Sequence, residues 1–193
     1  MPLIEKIKNN NCIIAIWEMT DSLNDLKKIS KNIKFPEYKS DKRNKEFIST
    51  RLLIQNILPE AVLTYNKYGA PEINTNDFIS ISHSNNLVVI AVSKSKVGID
   101  IEKIDDKAIR LASKFISSEN IANLSIKKAT LIWSCKEAIY KWHQKGNLNF
   151  KDDIKIESFE VKESGEIFAN FNHNKLTINY KEFNRHFLVY LCK

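Results

Sequence analysis

The chain has 193 residues, 43% of them hydrophobic, which is room for one large domain or two small ones around a real core and argues against a disordered chain. Its 30 Lys and Arg against 23 Asp and Glu leave a net charge of +7, so an anionic partner or substrate is expected: nucleic acid, an acidic protein or a phosphorylated small molecule. Cys12, Cys135 and Cys192 lie far apart without CxxC or Cys/His clustering, which argues against a disulfide framework or a zinc site and for a reducing compartment.

In chain order, Cys12 to Trp17 is a short apolar run rich in β-formers and reads as a buried strand. It is too short for a signal h-region or a membrane span, so a soluble, cytoplasmic protein without a membrane partner is expected. Asp21-Ser22 then caps a helical stretch to about Lys31, and a longer helix runs from Tyr38 to Leu58, stopped by Pro59. The longer helix carries Lys42, Arg43, Lys45 and Arg51, either a solvated basic face or a surface for phosphates. Tyr68-Gly69-Ala70-Pro71 is turn chemistry between short extended pieces. Strands Phe78 to Ser82, Leu87 to Ser93 and Val97 to Glu102 follow, with spacers that predict an antiparallel meander.

From Ala108 the pattern is helical again through Phe115, with a capping signal at Ser117-Ser118-Glu119 and a helix from Lys127 to Lys145. Past Gly146 strands are predicted at Ile154 to Val161, Ile167 to Phe171, Leu176 to Lys181 and His186 to Cys192, with turns at Glu163 to Glu166 and Asn172 to Asn174. Both halves run strand, helix, strands. The predicted fold is therefore α+β, two similar lobes, each a small antiparallel sheet packed with a long helix, spanning 1–95 and 96–193 with the active site between them.

Two constellations carry chemistry. On the helix after Lys127, Trp133, Glu137 and Lys141 recur at i,i+4 on one face; they are either a core aromatic beside a solvent-facing ion pair or part of a site. On the strand from Val97, Asp100 and Glu102 share a face, so two carboxylates stand together. Converging with Glu137, they would suit a hard divalent cation and a phosphate. His83 shares a strand face with Ile79 and Ile81, and is either a satisfied histidine at the core rim or a phosphate contact; Glu119 alone reads as a first-turn helix acid.

Ile81-Ser82-His83-Ser84, Val97-Gly98-Ile99-Asp100-Ile101-Glu102, Phe115 with Glu119, and Trp133-Ser134-Cys135-Lys136-Glu137-Ala138 with Lys141 together resemble the 4′-phosphopantetheinyl transferase superfamily. Order, gaps and length look like its larger, surfactin-synthetase-activating, pseudo-dimeric type. The resemblance implies a holo-[acyl-carrier-protein] synthase activity. The phosphopantetheine arm of coenzyme A passes to a serine of an apo acyl or peptidyl carrier protein, releasing adenosine 3′,5′-bisphosphate. Asp100, Glu102 and Glu137 look like Mg²⁺ ligands, Lys141 like the cation that neutralises the attacked phosphate, and Ser82, His83, Arg43 and Arg51 like CoA contacts. Glu137, or a water assisted by Glu119, is the implied base.

The resemblance also implies an acidic carrier partner and a functional monomer. Alternatives are a catalytically silent CoA- or carrier-binding relative and a Mg²⁺-dependent hydrolase of CoA. A nucleic-acid binder is disfavoured because the aromatics sit inside apolar segments and no binding signature appears. Two departures stand out: Gly69-Ala70-Pro71 where the family commonly has Gly-Lys-Pro, and Gln144 where some relatives place glycine after the catalytic helix.

Overall fold

A computed structural model describes residues 3–9, 12–30, 33, 36–117 and 124–192. Strands β1 (Leu3–Asn9) and β2 (Cys12–Glu18) precede α1 (Leu23–Ile29) and α2 (Asp41–Ile57), whose first turns are capped by Ser22 and Ser40. A small ribbon, β3 (Leu63–Tyr65) with β4 (Pro71–Ile73), then leads to β5 (Phe78–Ser84), β6 (Leu87–Ser93) and β7 (Val97–Lys103). After α3 (Lys107–Arg110) and a short turn of 3₁₀ helix come α4 (Ile126–His143), capped by Ser125, and β8 (Ile154–Ile156), β9 (Ser164–Phe171), β10 (Asn174–Phe183) and β11 (His186–Cys192). The fold is α+β.

The strands form a four-stranded sheet in the order β1-β2-β6-β5 and a five-stranded sheet in the order β7-β11-β10-β9-β8. In each sheet the strand preceding the long helix pairs with the last strand, which pairs with the one before it; β2-β6-β5 and β7-β11-β10 share one order. Helix α2 packs Leu53 and Ile54 against Trp17, Ile79, Val88 and Ile90 on the first sheet. Helix α4 packs Leu131, Cys135, Ala138 and Ile139 against Ile178, Phe187 and Val189 on the second. The inner faces meet through Ile14, Ile16, Val89, Ala91, Ile99, Ile101 and Leu188. Strand β6 is covered on both faces, which is why Leu87 to Val92 is a continuous apolar run rather than an alternating one.

Of the meander expected across β5, β6 and β7, the antiparallel β5–β6 pair forms and β7 does not join it. β7 leaves the first sheet and becomes the edge of the second, while β5 is the edge of the first. The two edges run side by side, joined by serine side chains instead of a backbone ladder. Ile99 N–H donates to Ser80 Oγ at 3.0 Å, Ile101 N–H to Ser82 Oγ at 3.4 Å, and Lys103 N–H to Ser84 Oγ at 3.2 Å. These bonds advance in step, so the strands are parallel, and alternate serines satisfy amides an open edge would expose.

Other differences are local. Strand β1 was not expected; its Glu5, Lys6 and Lys8 mask the alternation, and it is an exposed edge held by pairing to β2. Of the strand expected over Ile154 to Val161 only Ile154–Ile156 pairs, and the turn expected at Glu163 to Glu166 is instead largely β9, because β10 extends to meet Ser164. The capping signal at Ser118-Glu119 lies outside the described residues. Gln144 closes α4 at φ 62, the left-handed position that favours glycine.

Gly98 sets how closely α4 lies on β7. A Cβ there would collide with the Ala138 carbonyl oxygen and lie 2.8 Å from Trp142 Cβ. Gly98→Ala is therefore expected to destabilise the protein by about 3 kcal/mol. Urea unfolding measures it, and a loss below about 1 kcal/mol would mean that helix and strand can part without cost.

Candidate active site

Gly98, Asp100 and Glu102 share the face of β7 that meets α4, and the missing side chain of Gly98 lets the helix close over the two acids. From α4, Trp133, Glu137 and Lys141 descend toward them. Lys141 Nζ donates to Asp100 Oδ1 at 2.7 Å and to Ser82 Oγ at 2.8 Å. The Ser82 hydroxyl in turn donates to Asp100 Oδ1 at 2.8 Å. Three elements, β5, β7 and α4, thus meet on one oxygen. Among the described residues the ion pair of Lys141 is with Asp100, not the solvent-facing i,i+4 pair with Glu137. Trp133 donates its indole N–H to Glu102 Oε1 at 3.1 Å.

Asp100 is 3% exposed, and its Oδ2 is buried without a hydrogen-bond partner among the described residues. Burial, and then the field of Asp100, raise Glu102 above the usual glutamate range. Burial pushes Glu137 up to about 7; Asp100 and Glu102 add to this, and Lys141 opposes it. Among the described residues no three His, Cys, Asp or Glu side chains are gathered into a preformed metal group. The donor set nevertheless suits a hard cation: all-oxygen, mutually repelling, with one buried oxygen lacking a partner.

Beside this hub opens a cavity of about 370 Å³ between α2, the β3–β4 turn and the C-terminal end of α4. Arg43, Arg51, His83 and Lys141 line it, as does Ala70. The Arg51 guanidinium lies 3.2 Å from the Phe47 ring centroid and donates to the Phe47 carbonyl, and burial lowers its pKa. Arg43 lies over Tyr38 at 5.2 Å. His83 stands with Nδ1 3.9 Å from Glu46, its imidazole pulled down by desolvation against the opposing pull of that acid. Ser82 is not on the cavity wall, although Ser80, Ile81 and His83 are. Glu119 lies outside the described residues.

Glu46 and Tyr140 also line the cavity and were not singled out from sequence. Arg43, Glu46, Phe47, Thr50 and Arg51 all face it from α2, and their i,i+3 and i,i+4 spacing is the signal that marks one helix face.

A buried carboxylate–lysine hub beside a cationic cavity is the arrangement of a phosphate-handling site. Residues 96–190 match the family model described as 4′-phosphopantetheinyl transferase superfamily. The chain is similar to "4′-phosphopantetheinyl transferase gsp" of Aneurinibacillus migulanus, 31% identical over 140 residues that cover 67% of this chain and 57% of the relative. It is also similar to the 4′-phosphopantetheinyl transferase of Bacillus subtilis, 31% identical over 105 residues covering 50% of this chain and 45% of the relative. The chain spans about half the length of these curated relatives. It belongs to the 4′-phosphopantetheinyl transferase superfamily.

Glu137 links site and stability. Its pKa is about 7 when folded against an ordinary 4.5, so between those values the folded state holds the extra proton. Stability therefore falls as pH rises from about 4.5 to about 7, and the cost is complete above that window. Glu137→Gln, which cannot ionise, should be more stable than the metal-free wild type at pH above this window by about 2 kcal/mol, with the gap closing below it. Thermal unfolding across pH tests this; equal stabilities at high pH would show the carboxylate to be well solvated or paired.

Proposed function

We propose that this chain transfers the phosphopantetheine arm of coenzyme A to a serine of an apo acyl or peptidyl carrier protein. The observation that carries the reading is Lys141, which belongs at once to the carboxylate hub, through Asp100, and to the wall of the cationic cavity. Donor phosphates in that cavity would meet Arg43, Arg51 and His83 and end at Lys141 beside the acids.

The carrier serine oxygen attacks the phosphorus of the CoA pyrophosphate that bears the pantetheine arm. An O–P bond forms to the serine, the bridging P–O bond breaks, and adenosine 3′,5′-bisphosphate leaves with the electron pair. Lys141 neutralises charge on the attacked phosphate, aimed by Ser82 and Asp100, which hold its ammonium. Asp100, Glu102 and Glu137 would hold Mg²⁺, which when bound offsets the pyrophosphate charge. Glu137, or a water assisted by Glu119, would take the serine proton, and a carboxylate that also holds a cation is a poorer base than a free one.

In this reading the lobes 1–95 and 96–193 act together in a cytoplasmic monomer of the pseudo-dimeric type. The +7 charge steers an acidic carrier, so rates fall as salt rises.

Intact-mass analysis of an apo carrier after incubation with the protein, CoA and Mg²⁺ tests the proposal. One phosphopantetheine should be gained, and Glu137→Ala, Lys141→Ala or chelation should each slow the gain by about 10²-fold or more. CoA hydrolysis without carrier modification would favour a hydrolase, and CoA binding without turnover a silent relative. Ala70 lines the cavity where the family commonly has lysine. Ala70→Lys should lower the KM for CoA severalfold by adding a cation to the phosphate wall, and an unchanged or higher KM would refute that placement.

A further inference from the structure

Lys136, beside Glu137 in the helix motif, has no part in the chemistry above, yet it is only 4% exposed. A buried ammonium is costly, and methionine would fill much the same space. Its Nζ donates to the Ile154 carbonyl at 2.6 Å and to the Phe150 carbonyl. Ile154 is the first residue of β8, and Phe150 belongs to the segment between α4 and β8. That segment closes on itself, with Asn149 N–H donating to Asp153 at 2.8 Å and Asp153 N–H to the Asn149 carbonyl at 2.8 Å. Lys136 ties this closed turn to the helix.

The Phe150 ring sits 5.5 Å from Trp133 and 5.7 Å from Tyr140. Phe115 backs Trp133 from another side at 5.1 Å. Trp133 donates to Glu102, and Tyr140 lines the cavity. A continuous set of contacts therefore runs from the Lys136 ammonium through one aromatic ring to a hub carboxylate and to the cavity wall. Lys128, Lys151 and Lys155 share a smaller cavity with Lys136, but its ammonium is already engaged by two carbonyls and is not offered to an anion there.

We propose that Lys136 is a positioning residue: its ammonium pins the Phe150 segment so that the ring holds Trp133 on Glu102 and Tyr140 on the cavity. What Glu102 and the cavity then do rests on the transferase reading; the clamp itself does not.

Nitrogen–proton correlation spectra of the full chain test it through the Trp133 indole proton, identified by its loss in Trp133→Phe. In Lys136→Met, and independently in Phe150→Leu, this proton should exchange with water about tenfold faster, the factor that loss of one hydrogen bond to a charged group corresponds to. The Trp17 indole should not change. In the transfer assay each variant should lose about tenfold in kcat/KM, and the double variant should fall no further than the worse single one. A merely structural lysine would lower the melting temperature, add its loss to that of Phe150→Leu and leave the Trp133 proton as in the wild type. A folded variant with an unchanged Trp133 resonance, or additive losses, overturns the proposal; if Lys136→Met does not fold, Phe150→Leu decides it. Absence of transfer by the wild type bears on the transferase reading alone, because the indole measurement needs no turnover.

Discussion

Asp100 is a carboxylate in a place where a lone charge could not persist, and the rest of the site is arranged around that constraint. Its charge is met by Lys141, and the hydroxyl of Ser82 completes the shell of Oδ1. Those partners come from α4 and β5, so satisfying one buried acid fixes a helix, an edge strand of the first sheet and an edge strand of the second in a single geometry. The serine ladder between β5 and β7 serves the same end along the seam. The sheets meet edge to edge there without merging, which leaves the ends of both strands available for chemistry.

The acids are held at a cost that a purely structural interior would avoid. Asp100 keeps one oxygen without a partner among the described residues, and Glu102 and Glu137 resist ionisation because burial disfavours it, with the field of Asp100 acting on both and that of Glu102 on Glu137. A cluster of acids of this kind, offset by the ion pair of Lys141 with Asp100, is what a bound cation would relieve. Perturbed groups of this sort cluster at functional sites because the same environment that strains the empty state favours the occupied one.

The aromatic set around Trp133 gives the site its rigidity. Phe115 and Phe150 pack on Trp133, Phe150 also meets Tyr140 further along the same helix, and the indole N–H adds a directed hydrogen bond on Glu102. Helix α4 thus presents polar groups to the hub, apolar ones to the second sheet, and a buried ammonium to the loop that follows it.

Much of this was legible in the chain. The i,i+4 spacing of Trp133, Glu137 and Lys141 and the period-two spacing of Asp100 and Glu102 place those side chains on common faces whatever else the fold does, because helix and strand geometry are local. The cap at Ser22 and the stop at Pro59 are local too. What the sequence left open depended on contacts between distant segments. Whether Lys141 would pair with Glu137 or with Asp100 was decided by how closely α4 lies on β7, and hence by Gly98. That β7 would desert the meander could not be read from its apolar pattern, since a strand buried on both faces looks alike in either sheet. The alternate serines of β5 gain their meaning only when a second edge lies beside them. Local periodicity determined which residues face together; only the tertiary structure decided what they face, because burial, pairing and pKa depend on neighbours far away in the chain.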